Sequence, residues 1–406
     1  MTSRRVPTNR VVLVLMTAAG LSAGWSGAAV ATTEPPGTDS SGTDTDLCAA
    51  ADAGPVSIVH LTDIPGESPT AVDDFWNGSQ LAVAEINELC GSEVVTVERV
   101  PAPIQPDAFE PRLLEAQEME PTAMLGGPSS SLLALNPVVD EGGIPMIWPV
   151  GTAAGLSDSE NFSEWAWMGR AVNDSQGEVV GTWLTDSGFS NIWLECVETP
   201  FGENGCDNAA AAIEAGGGTV AGRRTHATDA SDFTSSIVDM QAAETDAVAL
   251  FTFPTPQITF LNQLEENGGL DIRVVGGASS ELIYQAHSPA QQEALVAIAD
   301  CNPPTDDPDA AAAYLAAYEK PMIGLSAITY DSVYLIVDAV ARMGSTEPDA
   351  VAEGIASTQW DGVCQNYFDS GSHGLAHHMV ITSFGEDGIT TEATIELNER
   401  GDAMAS

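Results

Sequence analysis

Two successive rounds of short apolar runs, separated by amphipathic or alanine-rich segments, constrain this chain more than any other feature. VSIVHL (56–61), VTVERV (95–100), TAMLG (122–126) and IPMIW (144–148) make the first round. NIWLECV (191–197), TVAGRRT (219–225), AVALFTF (247–253) and IRVVGG (272–277) make the second. Between the first two runs Phe75, Ala82, Ile86 and Leu89 recur at helical spacing. In the second round helices are expected near 204–215, 232–243 and 256–267. Parallel strands need long crossover connections, so this alternation predicts parallel sheets covered by helices. Two similar rounds predict two α/β lobes of Rossmann-like build. AAAAYLAAYE, ITYDSVYLIVDAVARMG, DAVAEGIAS and the strand pair HHMVITSFGEDGITTEATIEL follow. They offer too few strands for a third domain and are expected to complete the earlier sheets.

The start of the chain reads as an address. Arg4, Arg5 and Arg10 precede the apolar VVLVLMTAAGL, and Ala29-Val30-Ala31 has the small-residue form of a cleavage site, so residues 1–31 are expected to be a signal peptide. Residues 32–54, rich in Thr, Ser, Gly, Pro and Asp, cannot build a core and are expected to be a disordered acidic linker. The expected location is exported, periplasmic or extracellular, and associated with the cell surface. The remaining chain of about 350 residues suffices for two domains. All 59 acidic residues follow residue 31 against nine basic ones, a formal charge of −50. Such a surface repels nucleic acid and anionic membrane, and its simplest role is solubility. Six cysteines in an exported protein favour disulfides, and chain order suggests Cys48–Cys90, Cys196–Cys206 and Cys301–Cys364.

In an open α/β sheet, ligands bind beyond the carboxyl ends of the strands. GGPSSS (126–131) follows one apolar run, and WPVGTAAGL (148–156) ends another one strand–helix unit later. Each supplies hydroxyls and main-chain N–H groups suited to a carboxylate or amide oxygen. A helix-capping role for the serines remains open at this point. No G-K-[ST] follows, so this is not a Walker phosphate loop.

WNGSQLAVAEIN, GGPSSS with IPMIWPVGTAAGL, MGRAVNDSQG, ETPFGENG, TDASDF and ITYDSVYLIVDAVARMGSTEPDAV occur in this order. Together they resemble the type 1 periplasmic solute-binding proteins of ABC importers, the leucine/isoleucine/valine- and amide-binding group, from about residue 55 to the C-terminus. The resemblance implies two Rossmann-like lobes joined by three crossings near residues 172, 298 and 376, with the ligand cleft between them. Lobe 1 would comprise 55–172 plus 298–375, and lobe 2 would comprise 173–297 plus 376–406. It further implies that Ser129, Ser130 and the Val150-Gly151-Thr152 segment hold a ligand carboxylate or amide. Phe201 and Phe253 stand where the family has aromatics, usually with a hydroxyl. Where the family carries an ammonium-binding carboxylate this chain has Gly277-Ala278-Ser279-Ser280; Glu281, three residues past Ala278, could substitute for it, but is expected to face solvent from the next helix.

The implied role is capture of an amino acid, amide or small carboxylate by a monomer that presents it to a membrane permease, without cofactor and without chemistry. A ligand-sensing receptor domain working with a membrane partner is the alternative. A hydrolase is disfavoured, because the serines form no G-x-S-x-G elbow. His373, His377 and His378 have an H-x3-H-H spacing that could ligate a metal on a helix. Gly371 and Gly374 argue against a helix there, so a solvated or hinge-packing loop is expected.

Overall fold

A computed structural model describes residues 45–63, 72–103, 106–126, 132–149, 163–369, 371, 373–386 and 388–397. Its first sheet contains β1 (Val56–Asp63), β2 (Val95–Ala102), β3 (Ala123–Gly126), β4 (Met146–Trp148) and β5 (Ala166–Met168), all parallel, in the order β2-β1-β3-β4-β5. Ile58 of β1 registers with Val97 of β2 and Ala123 of β3.

The second sheet repeats that order. β6 (Asn191–Val197), β7 (Thr219–His226), β8 (Ala247–Phe251), β9 (Arg273–Gly276) and β10 (Leu295–Ala299) run parallel as β7-β6-β8-β9-β10. A small hairpin, β11 (Gln359–Asp361) with β12 (Asn366–Phe368), forms a separate ribbon. β13 (His378–Gly385) and β14 (Gly388–Glu396) then extend the second sheet antiparallel beyond β10. The C-terminal strand pair thus completes an earlier sheet.

The near-continuous apolar runs follow from helices on both faces of each sheet. Ile58, Leu125, Ile147 and Trp167 face one core of the first lobe, while Val59, Met124, Met146 and Trp148 face another. In the second lobe Leu194, Cys196 and Ala249 lie on one face, and Trp193, Val248 and Leu250 on the other. The helix Gly324–Met343 is the one described helix long and apolar enough to cross a membrane, but it is buried as the central helix of the first lobe. It packs on the helix Val72–Cys90 at Gly78, where an added Cβ would lie 2.3 Å from the Ser326 carbonyl oxygen. Only a glycine allows the two backbones to approach that closely.

Three segments join the lobes: Gly169–Val172 after β5, the chain after Ala299, and the chain between β12 and β13. The third runs beside β5, with the Met168 N–H donating to the His373 carbonyl (2.8 Å) and the Leu375 N–H donating to the Met168 carbonyl (2.9 Å). Disulfides join Cys48 to Cys90, Cys196 to Cys206 and Cys301 to Cys364.

Candidate functional site between the lobes

The shared strand order places the site. In each sheet the chain reverses its direction of winding between the first strand and the third, so adjacent crossover helices leave on opposite faces and a crevice opens at the carboxyl ends. In the first lobe that point lies between β1 and β3, and in the second between β6 and β8. The loop after β9 touches the helix that follows β1: Ala278 packs against Phe75 of that helix and against Ile323 and Leu325. The carboxyl ends of the two sheets therefore face each other.

Ser129, Ser130, Val150, Gly151 and Thr152 follow β3 and β4 and lie outside the described residues. At their threshold Gly126 has φ +101°, and an added Cβ would lie 2.0 Å from the Leu61 carbonyl oxygen. The glycine that opens GGPSSS is thus required by the close approach of β3 to β1.

On the second lobe the structure brings Phe201 and Phe253 together. Phe201 lies in the first turn of the helix Pro200–Ala215, whose N-terminus is capped by Thr199 Oγ1 accepting from the Gly202 N–H at 3.3 Å. The Cys196–Cys206 bond ties the next turn of that helix to β6. Phe253 is the N-cap residue of the helix Pro254–Glu266. The two rings stack at 6.0 Å with 21° between their planes, and Phe201 meets Phe251 edge-on at 6.3 Å. Phe253 is 39 % exposed, so an apolar ring surface is presented at the second winding reversal.

Beneath this wall lies a buried polar constellation that sequence reasoning missed. His226 Nε2 is 2.7 Å from Thr252 Oγ1, and His226 Nδ1 is 3.3 Å from Glu195 Oε1, off the line of a good hydrogen bond. Trp193 Nε1 donates to Glu195 Oε2 at 3.0 Å. The hydroxyl–imidazole–carboxylate order resembles a nucleophilic relay, but Thr252 is only 2 % exposed. These residues come from three adjacent strands with no motif linking them in sequence.

Glu281 departs from expectation. It does not face solvent: it is 4 % exposed, and its Oε2 accepts from the Gly324 N–H of the first lobe at 3.2 Å. Burial pushes its carboxyl up to about 8. The short helix Ser280–Ile283 is turned inward because Ala278 and Leu282 join an apolar cluster with Phe75, Ile323 and Leu325.

The crossings carry their own polar bracket. Arg170 Nε donates to Asp300 Oδ1 at 3.1 Å, and Nη2 makes an ionic contact of 2.8 Å with Oδ2, off the line of its N–H. Gln365 Nε2 donates to the carbonyls of Asp300 (2.9 Å) and His378 (3.0 Å), and its Oε1 accepts from the N–H groups of His377 and His378. The histidines take separate partners. His373 Nδ1 is 2.9 Å from the Ala166 carbonyl, and its ring lies 5.3 Å from Trp167. His377 Nε2 is 2.8 Å from the Phe368 carbonyl, with its ring stacked on Phe368. Burial holds the His377 and His378 imidazoles below their usual range. Among the described residues no three His, Cys, Asp or Glu side chains converge as metal ligands.

A hollow of about 420 Å³ lies along the β1/β2 edge beside Trp76, Arg99 and Met119. It sits at mid-strand, away from the winding reversals, and its arginine is held by Thr62 Oγ1 at 2.9 Å and Asp73 Oδ1 at 3.5 Å.

A family model described as "Periplasmic binding protein" matches residues 55–388. No curated protein matches the chain. Among solved structures, a solute-binding protein of an ABC transporter from R. palustris in complex with benzoate is similar at 17 % identity, over 87 % of this chain and 98 % of that one, with TM-score 0.73. A leucine binding protein from Thermotoga maritima is similar at 19 % identity, over 84 % and 99 %, with TM-score 0.72. A branched-chain amino acid transporter substrate-binding protein from Streptococcus pneumoniae in complex with isoleucine is similar at 17 % identity, over 86 % and 99 %, with TM-score 0.70.

Proposed function

Because this chain belongs to the periplasmic binding protein family, we propose that it is the exported, surface-associated solute-binding protein of an ABC importer. It captures a small polar organic ligand, an amino acid, amide or small carboxylate, and presents it to a membrane permease. The observation that carries this reading is the facing of two equivalent winding reversals across the gap between the lobes. Solved relatives of the same fold hold benzoate in one case and isoleucine in another. Both ligands join a carboxylate to an apolar body, which matches hydroxylated loops on one lobe and a phenylalanine wall on the other.

In this proposal Ser129, Ser130 and the Val150-Gly151-Thr152 backbone take the ligand's oxygens, with the Thr152 hydroxyl. Phe201 and Phe253 cover its apolar part, and Ala278 borders the end of the site nearest the second crossing. The protein acts as a monomer and catalyses nothing. The lobe limits are 55–172 plus 298–375 and 173–297 plus 376–406. Residues 47–53, expected as disordered linker, are instead helical and join the first lobe through the buried Leu47 and Ala50 and the Cys48–Cys90 bond. Closure about the three crossings converts ligand contacts on both lobes into one bound state.

The test is a thermal-shift and calorimetric panel of amino acids, amides and organic acids, benzoate and L-isoleucine included. One class should raise the melting temperature with the logarithm of its concentration. Phe253→Ala should weaken that binding at least tenfold while moving the unliganded melting temperature little, because the ring is 39 % exposed. A panel that leaves the melting temperature unchanged, with no retained small molecule by native mass spectrometry, would refute the proposal.

A further inference from the structure

We propose that the Glu281 carboxyl is a proton-linked clasp between the two lobes, so that closing the cleft takes up a proton and alkaline conditions favour opening. This deepens the solute-binding reading above and rests on it for its biological meaning.

Glu281 belongs to the second lobe, in the turn of helix after β9, but the hydrogen bond its carboxyl accepts comes from the first. The donor is the Gly324 N–H, at the first residue of a twenty-residue helix. Two effects oppose each other at this contact. A helix N-terminus favours an anion. The surroundings do not: Phe75, Ile323 and Leu325 from the first lobe and Ala278 from the second are all buried, with Leu282 packed against them.

The charges facing the group come from several elements. Arg170, which would favour an anion, is already paired with Asp300 at the crossings. Asp300 and Asp306 disfavour a further negative charge, while His378 acts on those two aspartates. Asp306 accepts from the Asn302 N–H at 2.7 Å. On the 72–90 helix, next to Phe75, Asp74 is paired with Lys320 at 2.6 Å. Desolvation is the largest influence and holds the carboxyl near 8, against an ordinary 4.5.

Separating the lobes removes Phe75, Ile323 and Leu325 from around Glu281 and gives the carboxyl back to water. The sign then follows from linkage. A group whose value is raised in the closed form supports that form fully below its open-state value and loses this support as pH climbs through its closed-state value. Between those limits the open-to-closed ratio should rise towards about tenfold per pH unit.

The test uses the ligand-free full-length chain. Small-angle X-ray scattering should show the radius of gyration rising between about pH 5 and about pH 8 and levelling off above, and Glu281→Gln, which cannot ionise, should abolish the rise. No rise in the native chain, or an equal rise in both chains, would overturn the clasp. If Glu281→Gln fails to fold, amide exchange at residues 322–326 of the native chain, corrected for intrinsic base catalysis, decides. Loss of protection across the same interval supports the clasp, and constant protection overturns it. Because no ligand is needed, a clasp that fails while the panel finds binders leaves the solute-binding reading standing. A clasp that succeeds while no ligand binds separates the device from that reading.

Discussion

The bracket at the crossings gives the sharpest energetic prediction. Arg170 and Asp300 are 8 % and 1 % exposed and meet at 2.8 Å. At an effective dielectric near 20 their attraction is about 6 kcal/mol, and most of it offsets the cost of drying both ions. Removing one partner exposes that cost. Asp300→Asn leaves a buried guanidinium that cannot lose its proton, so we expect a loss of about 3–5 kcal/mol wherever the native Asp300 is ionised, shrinking in acid where the native carboxyl is itself neutral. Arg170→Met leaves a buried carboxylate, which can escape by protonation. Burial already pushes Asp300 upward in the native protein, with Arg170 the main influence pulling it down. Without Arg170 its value rises further. A raised carboxyl supports the fold below its unfolded value and loses that support as pH increases, so the deficit of Arg170→Met should be small in acid and grow towards alkaline pH. The double variant Arg170→Met/Asp300→Asn should be more stable than the sum of the single losses predicts, by about 2 kcal/mol or more. Urea unfolding followed by tryptophan fluorescence measures all four proteins. Single losses below about 1 kcal/mol, or strict additivity, would show that the pair does not bear on stability.

Two further outcomes test the packing. Gly78→Ala forces a Cβ to 2.3 Å from a main-chain oxygen of the central helix; we expect a loss of about 1–3 kcal/mol in urea unfolding, and a neutral result would refute the close helix approach. The Cys196→Ala/Cys206→Ala double variant opens a loop with sequence separation 10. Chain entropy predicts a loss of about 3 kcal/mol by the same assay, and weaker ligand binding as well if that loop orients Phe201.

Most of the architecture was legible because each sheet is covered on both sides. A strand buried on two faces has to be apolar at nearly every position, so VSIVHL, NIWLECV and AVALFTF stood out without alternation. What escaped were the elements whose sequences carry no period. β5 is only Ala-Trp-Met, and β10 is Leu-Val-Ala-Ile-Ala within an alanine-bearing stretch that reads equally as helix. The β11–β12 ribbon is only three residues on each strand and depends on Asp331 of the central helix, whose carboxylate accepts from the Val363 and Cys364 N–H groups at 2.9 and 2.8 Å. No local signal announces a turn held by a residue about thirty positions away.

The site divides along the same line. Phe201 and Phe253 could be anticipated from the family resemblance, which matches the short segments after β6 and β8 that carry them. Glu281 could not, because its burial is decided by Ile323 and Leu325, more than forty residues later, and its local context of Ser-Ser-Glu-Leu reads as an exposed helix start. The pairing of Arg170 with Asp300 is hidden for a similar reason, since the two residues follow β5 and β10, strands of different sheets, and meet only where the chain crosses between the lobes. Residues that hold a ligand are displayed by the strands that carry them, whereas residues that govern how two lobes meet are defined by both lobes at once. The second class is therefore where a structure adds most to a sequence, and in this protein it includes Glu281, the carboxyl proposed to make closure respond to protons.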